Sequence, residues 1–490
     1  SKCFPMALAR KTAYNVVFNS ALKVTSTVFI ALLSIRLITG YLGQEGFGEY
    51  ATVLAFFAFF GAIGDLGLAN ITAREIAKPS TEESDFFGKV AGLRLLASGL
   101  IIVFSPLVIF WFHYAEHVKG GVVIITIALL FAQFSTLLNG IFQKRLAMDR
   151  VAMVEFVGKI LQFLLIYLSV RFDLGFLAIV SAVLLTMFFN AAVELYLSRK
   201  FIQFRFAWDY PFWRRFMHDA WPLGLTAMIT FAYFKLDTII LSLLQPAAHV
   251  GIYNVAYKIM ENLIFFPAML IGLILPLLSR AHQTDQAQFR EIAEKTAKVF
   301  IAIVLPIVIG TIFLAPEIVA VVSGGGFEVS ADVLRILIFS LAGIFFGHYF
   351  NMLILVGNAQ KKLLKALAAV AIVNVSLNVI LIREFSYFGA AISSAVTEAL
   401  VVILSGVIAY RTLGFFPKPD RLPRIFLSAG VMALVLFIAA PLPFVATLFL
   451  AGVSYAFLLW ATRAVTSYEI TSVFSAKEAT KEEGFEPLSV

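Results

Sequence analysis

Residues 331–383 read ADVLRILIFSLAGIFFGHYFNMLILVGNAQKKLLKALAAVAIVNVSLNVILIR, and this stretch decides the fold class. Two apolar runs, 331–356 and 363–383, flank the polar turn GNAQKK. A helix needs about 20 largely apolar residues to cross the hydrocarbon core of a bilayer. Both runs meet that length, and the turn between them is too short for any further element. A lipid-facing backbone must satisfy its hydrogen bonds within its own segment, so such a pair reads as a membrane-spanning helical hairpin.

The same pattern repeats outward in both directions. Further spans are expected near 13–39, 46–72, 90–112, 121–143, 151–171, 174–198, 219–243, 250–279, 297–315, 386–410, 425–441 and 443–462. The fold class is therefore an all-α membrane protein with about fourteen transmembrane helices. Composition agrees: the 490 residues are 61% hydrophobic and 14% charged, where soluble domains carry roughly 25% charged residues. The first run is too long for a signal-peptide core and ends without a small-residue cleavage site, so it reads as the first span. The polar tail 468–490 is expected to be disordered. The only cysteine, Cys3, excludes an internal disulfide, and the six histidines show no metal-ligand spacing. No metal and no cofactor are expected.

Loop charge gives the orientation. With the N-terminus on the cytoplasmic side, 28 Lys and Arg fall in cytoplasmic segments, three in the opposite loops and seven inside spans, which accounts for all 38. Positive residues concentrate on the cytoplasmic side of membrane proteins. Both termini of this multi-pass protein are thus expected in the cytoplasm. The formal charge of +8 is then topological, and no nucleic-acid partner is needed to explain it.

Spans 1–6 and 7–12 look like related halves. YLGQEGFGEYATVLAF at 41–56 has a counterpart in LLQPAAHVGIYNVAYKI at 243–259, so that Gly48 and Tyr50 correspond to Gly251 and Tyr253 at an offset of 203. Pro106 and Pro306 take similar places in the third span of each half, and LGFLAIVSAV and FGAAISSAV open spans 6 and 12. Two parallel repeats with a cavity between them follow from an even span number. The expected organisation is an N-lobe at 12–199, a C-lobe at 219–411, two further spans within 421–463, and between the lobes a linker at 200–218. The basic, aromatic stretch 199–218 reads as an amphipathic helix on the cytoplasmic face.

A charge at the bilayer centre costs about 2.5–3.5 kcal/mol on insertion scales, so charged residues inside spans face a partner or a cavity. Helical spacing shows which of them share a face. Asn15, Asn19, Lys23, Thr27 and Ser34 form one stripe of span 1. Thr226, Thr230, Tyr233 and Asp237 do so in span 7, with Lys235 pointing the other way. Span 8 aligns Asn254, Lys258, Glu261 and Asn262, span 11 pairs Asn374 with Asn378, and span 12 aligns Ser394, Glu398 and Ser405. Lys23, Lys258 and Lys235, with Asn19, Asn254, Asn374 and Asn378 beside them, suit a diphosphate or an acidic sugar. Asp237, Glu261 and Glu398 suit a coupling proton or sodium ion. Asp65, between glycines in GAIGDLGLAN, is a further carboxylate that fits capping or pairing as well as ion coupling. A purely structural reading stands beside this one: Lys258 and Glu261 neutralise each other, Asp237 pairs with Lys235 or a neighbour, and Asn374 and Asn378 join helices. Lys159, Arg36, Arg94 and Arg335 lie nearer span ends, where long side chains reach for the headgroups.

No G-x-x-x-x-G-K-[ST] or G-x-S-x-G occurs, and Ser323-Gly324-Gly325-Gly326 reads as a turn. No loop is long enough to hold a soluble transferase domain, so no enzyme activity is expected.

The segments GYLGQEGFGEYATVLAFFAFFGAIGDLGLANITAREIA, FKLDTIILSLLQPAAHVGIYNVAYKIMENLIFFPAML, GGGFEVSADVLRIL and VGNAQKKLLKALAAVAIVNVSLNVILI, followed by YFGAAISSAV, resemble the Wzx-type polysaccharide and O-antigen flippases. These belong to the multidrug/oligosaccharidyl-lipid/polysaccharide exporter superfamily, and the resemblance runs in order over 12–410. It implies two six-helix lobes around a central cavity, two C-terminal helices and alternating access. It also implies an undecaprenyl-type lipid-diphosphate oligosaccharide as substrate, moved to the outer leaflet for lipopolysaccharide or another surface polysaccharide. A polysaccharide polymerase and glycosyltransferases are the implied partners, and Lys23, Lys235 and Lys258 match the family's cavity cations. A cation-coupled multidrug antiporter of the same fold would favour carboxylates over lysines. A lipid II flippase would be expected to show several cavity arginines. A membrane-embedded glycosyl polymerase or ligase would be expected to carry a large outer loop.

Overall fold

The computed structural model describes residues 29–76 and 82–464, and all regular structure among them is helical. Fourteen helices are present among the described residues: α1 (Ala31–Asp65), α2 (Leu68–Ile76), α3 (Glu83–Phe110), α4 (Glu116–Lys144), α5 (Met148–Arg171), α6 (Phe176–Ser198), α7 (Tyr210–Leu244), α8 (Ala247–Leu263), α9 (Phe265–Thr284), α10 (Gln286–Ser323), α11 (Ser330–Val356), α12 (Gln360–Leu413), α13 (Leu422–Ile438) and α14 (Phe444–Ala461). With α8 and α9 taken together, ten are long and apolar enough to cross a membrane. Every expected span meets a helix, the first of them from Ala31 onward. Its earlier residues, and the tail expected to be disordered, lie outside the described residues.

Helix breaks differ from the expected boundaries for identifiable reasons. α1 holds the end of span 1 and most of span 2, bent at Gly43, whose φ of 67° only glycine adopts readily. The rest of span 2 is α2, set off by Leu66 and Gly67, which both have positive φ. Span 8 divides at Ile264, where Pro267 removes a backbone donor and crowds the carbonyl four residues earlier. Spans 11 and 12 are both within α12, which turns at Ser386 with φ 51° and ψ −128°. The glycine run after α10 is a turn, with positive φ at Gly324, Gly325 and Gly326.

The stretch 199–218 departs most from the expected amphipathic helix. Residues 202–209 form no helix or strand, and helix begins only at Tyr210. The sequence QFRFAWD explains why: Phe204, Phe206 and Trp208 alternate with Arg205, Ala207 and Asp209, which is the period of an extended chain. This strap lies along α3. Ala207 N–H donates to Gly88 O at 3.1 Å, Trp213 Nε1–H donates to Lys89 O at 2.7 Å, and Lys89 pairs with Asp209 at 3.1 Å. Gly88 and Gly92 leave room for it, since a Cβ there would meet the carbonyls of Arg205 and Ala207 at 2.1 and 2.4 Å. Asp209 then caps α7 by accepting from Phe212 N–H at 2.9 Å, a contact worth about 1 kcal/mol.

The described residues form two compact units. The first takes in residues up to 255 together with 321–327 and 375–390. Within it, α1 and α8 touch through glycines. A Cβ on Gly48 would fall 1.7 Å from Ala247 O, and one on Gly251 would fall 2.1 Å from Gln44 O. The paired glycines of the internal repeat are therefore in contact with each other's helix. The α12 turn is held in the same unit: Ser386 Oγ lies 2.7 Å from His249 Nδ1, and Gln245 Nε2 donates to Ile382 O at 2.9 Å.

The second unit takes in 256–320, 328–374 and residues from 391 onward. There α13 and α14 pack on α10 through Leu314, Met432, Leu436 and Ala451, and Tyr455 Oη donates to Ala302 O at 2.8 Å. Lys298, with 0% side-chain exposure, reaches Asp420 at 2.6 Å in the loop before α13. The Lys298 ammonium holds the Asp420 carboxyl below its ordinary value of 3.8. A depressed folded-state value stabilises the fold above the unfolded value and stops doing so as pH falls through the lower one. The thermal midpoint of the purified protein is therefore expected to drop below about pH 4. Lys298→Met should flatten that acid limb, which differential scanning fluorimetry would read, and an unchanged limb would count against the pair.

Candidate functional site

The candidate site residues fall in three polar groups buried within otherwise apolar helices. The first joins α7 to α8. Asp237, 4% exposed, lies a similar number of residues before the Gln245–Pro246 turn as Tyr253 lies after it. That spacing brings them together across the hairpin: Tyr253 Oη donates to Asp237 Oδ2, and Thr238 N–H donates to Oδ1 at 2.6 Å. Thr238 Oγ1 donates to Asn254 Oδ1 at 3.4 Å, and Asn254 Nδ2 donates to Val250 O at 2.9 Å. Asp237 and Asn254 thus share one buried network through Thr238. The hydrogen-bond donors on Asp237 are neutral, a hydroxyl and an amide, and the Lys235 charge also acts on it. Lys235 is half-buried and two residues away along α7, so it does not share the Asp237 face. Thr226, Thr230 and Tyr233 have side chains outside the described set.

The second group is Lys258 and Glu261 on α8, paired at 2.8 Å with side-chain exposures of 27% and 32%. The mutual neutralisation read from their spacing is what the geometry shows. Both side chains are partly exposed. Asn262 Nδ2 donates to Lys258 O at 2.9 Å.

The third group lies along α12. Asn374 Nδ2 donates to Thr397 Oγ1 at 3.1 Å, which ties the segments on either side of the Ser386 turn. Thr397 in turn donates to Ser393 O at 2.6 Å. Asn378, one helical turn on from Asn374, is fully buried, and so is Glu398. A Cβ on Gly343 of α11 would stand 2.7 Å from Glu398 Cβ, so α11 lies tightly against α12 there.

Asp65 belongs to a separate network. Its Oδ1 accepts from Ala69 N–H at 3.1 Å, capping α2, and from Arg94 at 2.9 Å. Arg94 corrects the headgroup reading: it is 2% exposed and does not reach for the interface. It also donates to Gln133 O at 3.1 Å, and Gln133 Nε2 donates to Gly61 O at 2.9 Å, linking α1, α3 and α4. Capping and pairing are thus what Asp65 does. Lys23 and Asn19 lie outside the described residues. Among the described residues, no group of three or more His, Cys, Asp or Glu side chains is placed to hold a metal ion.

Tyr253, Thr238, Thr397 and Gln133 escape the sequence reading. Tyr253 carries a signal as a repeat marker beside Gly251. The uncharged hydroxyls and the amide carry none, because such residues are common in membrane helices and only their partners give them meaning.

Residues 9–282 match a family described as polysaccharide biosynthesis protein. Among curated proteins the chain is similar to the probable flippase AglR of Haloferax volcanii, 25% identical over 477 residues that cover 89% of this chain and 93% of that protein. Among solved structures it is similar to the lipid II flippase MurJ in an inward closed conformation, with a TM-score of 0.62 and 15% identity over 98% of this chain and 100% of that one. It is also similar to an inward-facing multidrug resistance MATE family transporter of the MOP superfamily, with a TM-score of 0.62 and 15% identity over 81% and 98%. These two likenesses show the fold, an all-helical membrane architecture shared by transporters of different cargo.

Proposed function

From the premise that this chain belongs to the polysaccharide biosynthesis protein family, whose match covers more than half of it, we propose that it is a flippase for a lipid-diphosphate-linked oligosaccharide. It carries this substrate from the cytoplasmic to the outer leaflet of the plasma membrane for surface polysaccharide assembly such as O-antigen. The observation that carries the reading is the near end-to-end similarity to a probable flippase. The MATE likeness fits a cation-coupled drug antiporter on fold alone, and the family match supports the flippase reading over it.

The physical task explains the buried groups. A sugar diphosphate cannot enter hydrocarbon, so its path must supply polar contacts inside the helical body. In this proposal Lys23, Lys235 and Lys258 hold the diphosphate, while Asn19, Asn254, Asn374 and Asn378 contact the sugar. Asp237, with Glu261 and Glu398, takes the coupling proton or sodium ion. The N-lobe at 12–199 and the C-lobe at 219–411 alternate in access, with both termini cytoplasmic. Glycosyltransferases supply the substrate and a polymerase consumes it.

The test is reconstitution. Proteoliposomes loaded with a fluorescent isoprenyl-diphosphate oligosaccharide are expected to expose it to an external quencher faster than protein-free vesicles. Equal rates, with the protein folded and oriented, would refute the flippase reading.

A further inference from the structure

A cavity of about 500 Å³ lies among α3, α4, α6 and the strap, within the range of small-molecule sites. Its wall runs from the exposed surface to the buried interior. Phe206 and Leu95 are exposed, whereas Arg94 is buried. Most of the lining is apolar, with Leu130, Phe131, Phe134 and Leu195 among it, and two arginines, Arg94 and Arg199, break that surface.

The arginines differ. Arg94 is neutralised by Asp65 through Nη2 and donates to Gln133 from Nη1, but its Nε–H is buried with no acceptor among the described residues. A donor sealed without a partner is a place for a ligand oxygen. Arg199, at the end of α6, is exposed, and among the described residues no ion pair answers its charge. The site as a whole therefore carries one uncompensated positive charge, one orphan donor and a hydrocarbon-like wall.

The surroundings identify the class of ligand. Trp208 of the strap and Tyr210 at the start of α7 are exposed, as are Lys200, Arg205, Arg214 and Arg215. Exposed tryptophan and tyrosine mark the membrane–water interface, and clustered basic residues beside a span attract anionic lipid. The exposed faces of Leu96, Leu100, Val103 and Phe104 on α3 continue the lipid-facing surface from the cavity.

We propose that this cavity is a binding site for one anionic membrane lipid. Its phosphate lies against Arg199, an oxygen accepts from Arg94 Nε–H, and its hydrocarbon covers Leu95, Leu130 and Phe131. The site is separate from the groups assigned to transport and does not rest on the flippase reading. Bound lipid would cross-link the strap to α3 and α6.

Native mass spectrometry of the full-length protein, exchanged into phosphatidylglycerol or phosphatidylcholine, tests this. One phosphatidylglycerol is expected to survive activation that strips phosphatidylcholine. Arg199→Ala, a change at an exposed position, should lower its retention about tenfold, the scale of one charge-assisted contact. Leu130→Trp should fill the cavity and remove the lipid, with thermal unfolding reporting whether that variant folds. If it does not fold, Arg199→Ala decides alone. Equal retention of both lipids, or unchanged retention in Arg199→Ala, would overturn the site.

Discussion

Lys258→Ala is expected to abolish surface polysaccharide while the protein still reaches the membrane, and Lys258→Ala/Glu261→Ala is expected not to restore it. The double variant separates the two roles open to this pair. Removing both members of a partly buried ion pair is often neutral or stabilising, whereas removing one strands the other. If Lys258 only neutralised Glu261, Lys258→Ala would suffer from a stranded carboxylate, and the double variant would recover to the level of Glu261→Ala alone, which reports what loss of the coupling carboxylate costs by itself. If Lys258 holds the substrate's diphosphate, the double variant stays inactive even though its folding cost is relieved. Losing one partner of a desolvated charge contact costs about 2–5 kcal/mol, so the transport rate should fall at least about tenfold. Lys258→Arg, which keeps the charge, should retain part of the activity. Recovery of the double variant to the level of Glu261→Ala would assign Lys258 to structure.

Gly48→Val is expected to prevent the protein from accumulating in a folded, detergent-stable form, and Gly251→Val should behave alike. The atoms a Cβ would meet are main-chain carbonyls at 1.7 and 2.1 Å. No rotamer change can move them, so α1 and α8 would have to separate. Overpacking a well-packed site costs about 1–3 kcal/mol, and more where backbone must shift. Size-exclusion chromatography in detergent gives the readout. Neighbouring Gly40, with open space around its Cβ position, provides the control, since Gly40→Ala should be tolerated. Monodisperse Gly48→Val protein with an unchanged melting temperature would contradict the contact.

The spans were legible because bilayer thickness sets a length that apolar runs must meet, and α11 and the α12 segments follow that reading closely. The kinks were legible where the chain names its cause, as at Pro267 and the glycines beside Asp65. The strap at 202–209 departs from the expected helix because a basic and aromatic composition suits an amphipathic helix only at helical spacing, and here the aromatic residues alternate every second position. The networks were only half legible. Periodicity places Asp237, Asn254 and Asn374 on faces, but cannot show that Tyr253 and Thr397 stand opposite them. Arg94 shows the limit most clearly. Its position near a span end suits a snorkelling side chain, and only the long-range approach of α1 and α4 turns it inward.

The contact between α1 and α8 has a consequence for how such a chain arose. Gln44 and Ala247 stand at the same offset of 203 as Gly48 and Gly251. Gly48 meets Ala247 while Gly251 meets Gln44, so each copy of the motif touches the other's counterpart residue. That reciprocity is the signature of an isologous interface, the kind two identical subunits make about a dyad. An unduplicated six-helix ancestor bearing the motif once would present a face complementary to itself. On the duplication expected from the repeat, fusion would make covalent an association that one copy of the motif already encodes. It would also couple the two glycines, since neither can gain a side chain without striking the main chain of the other copy.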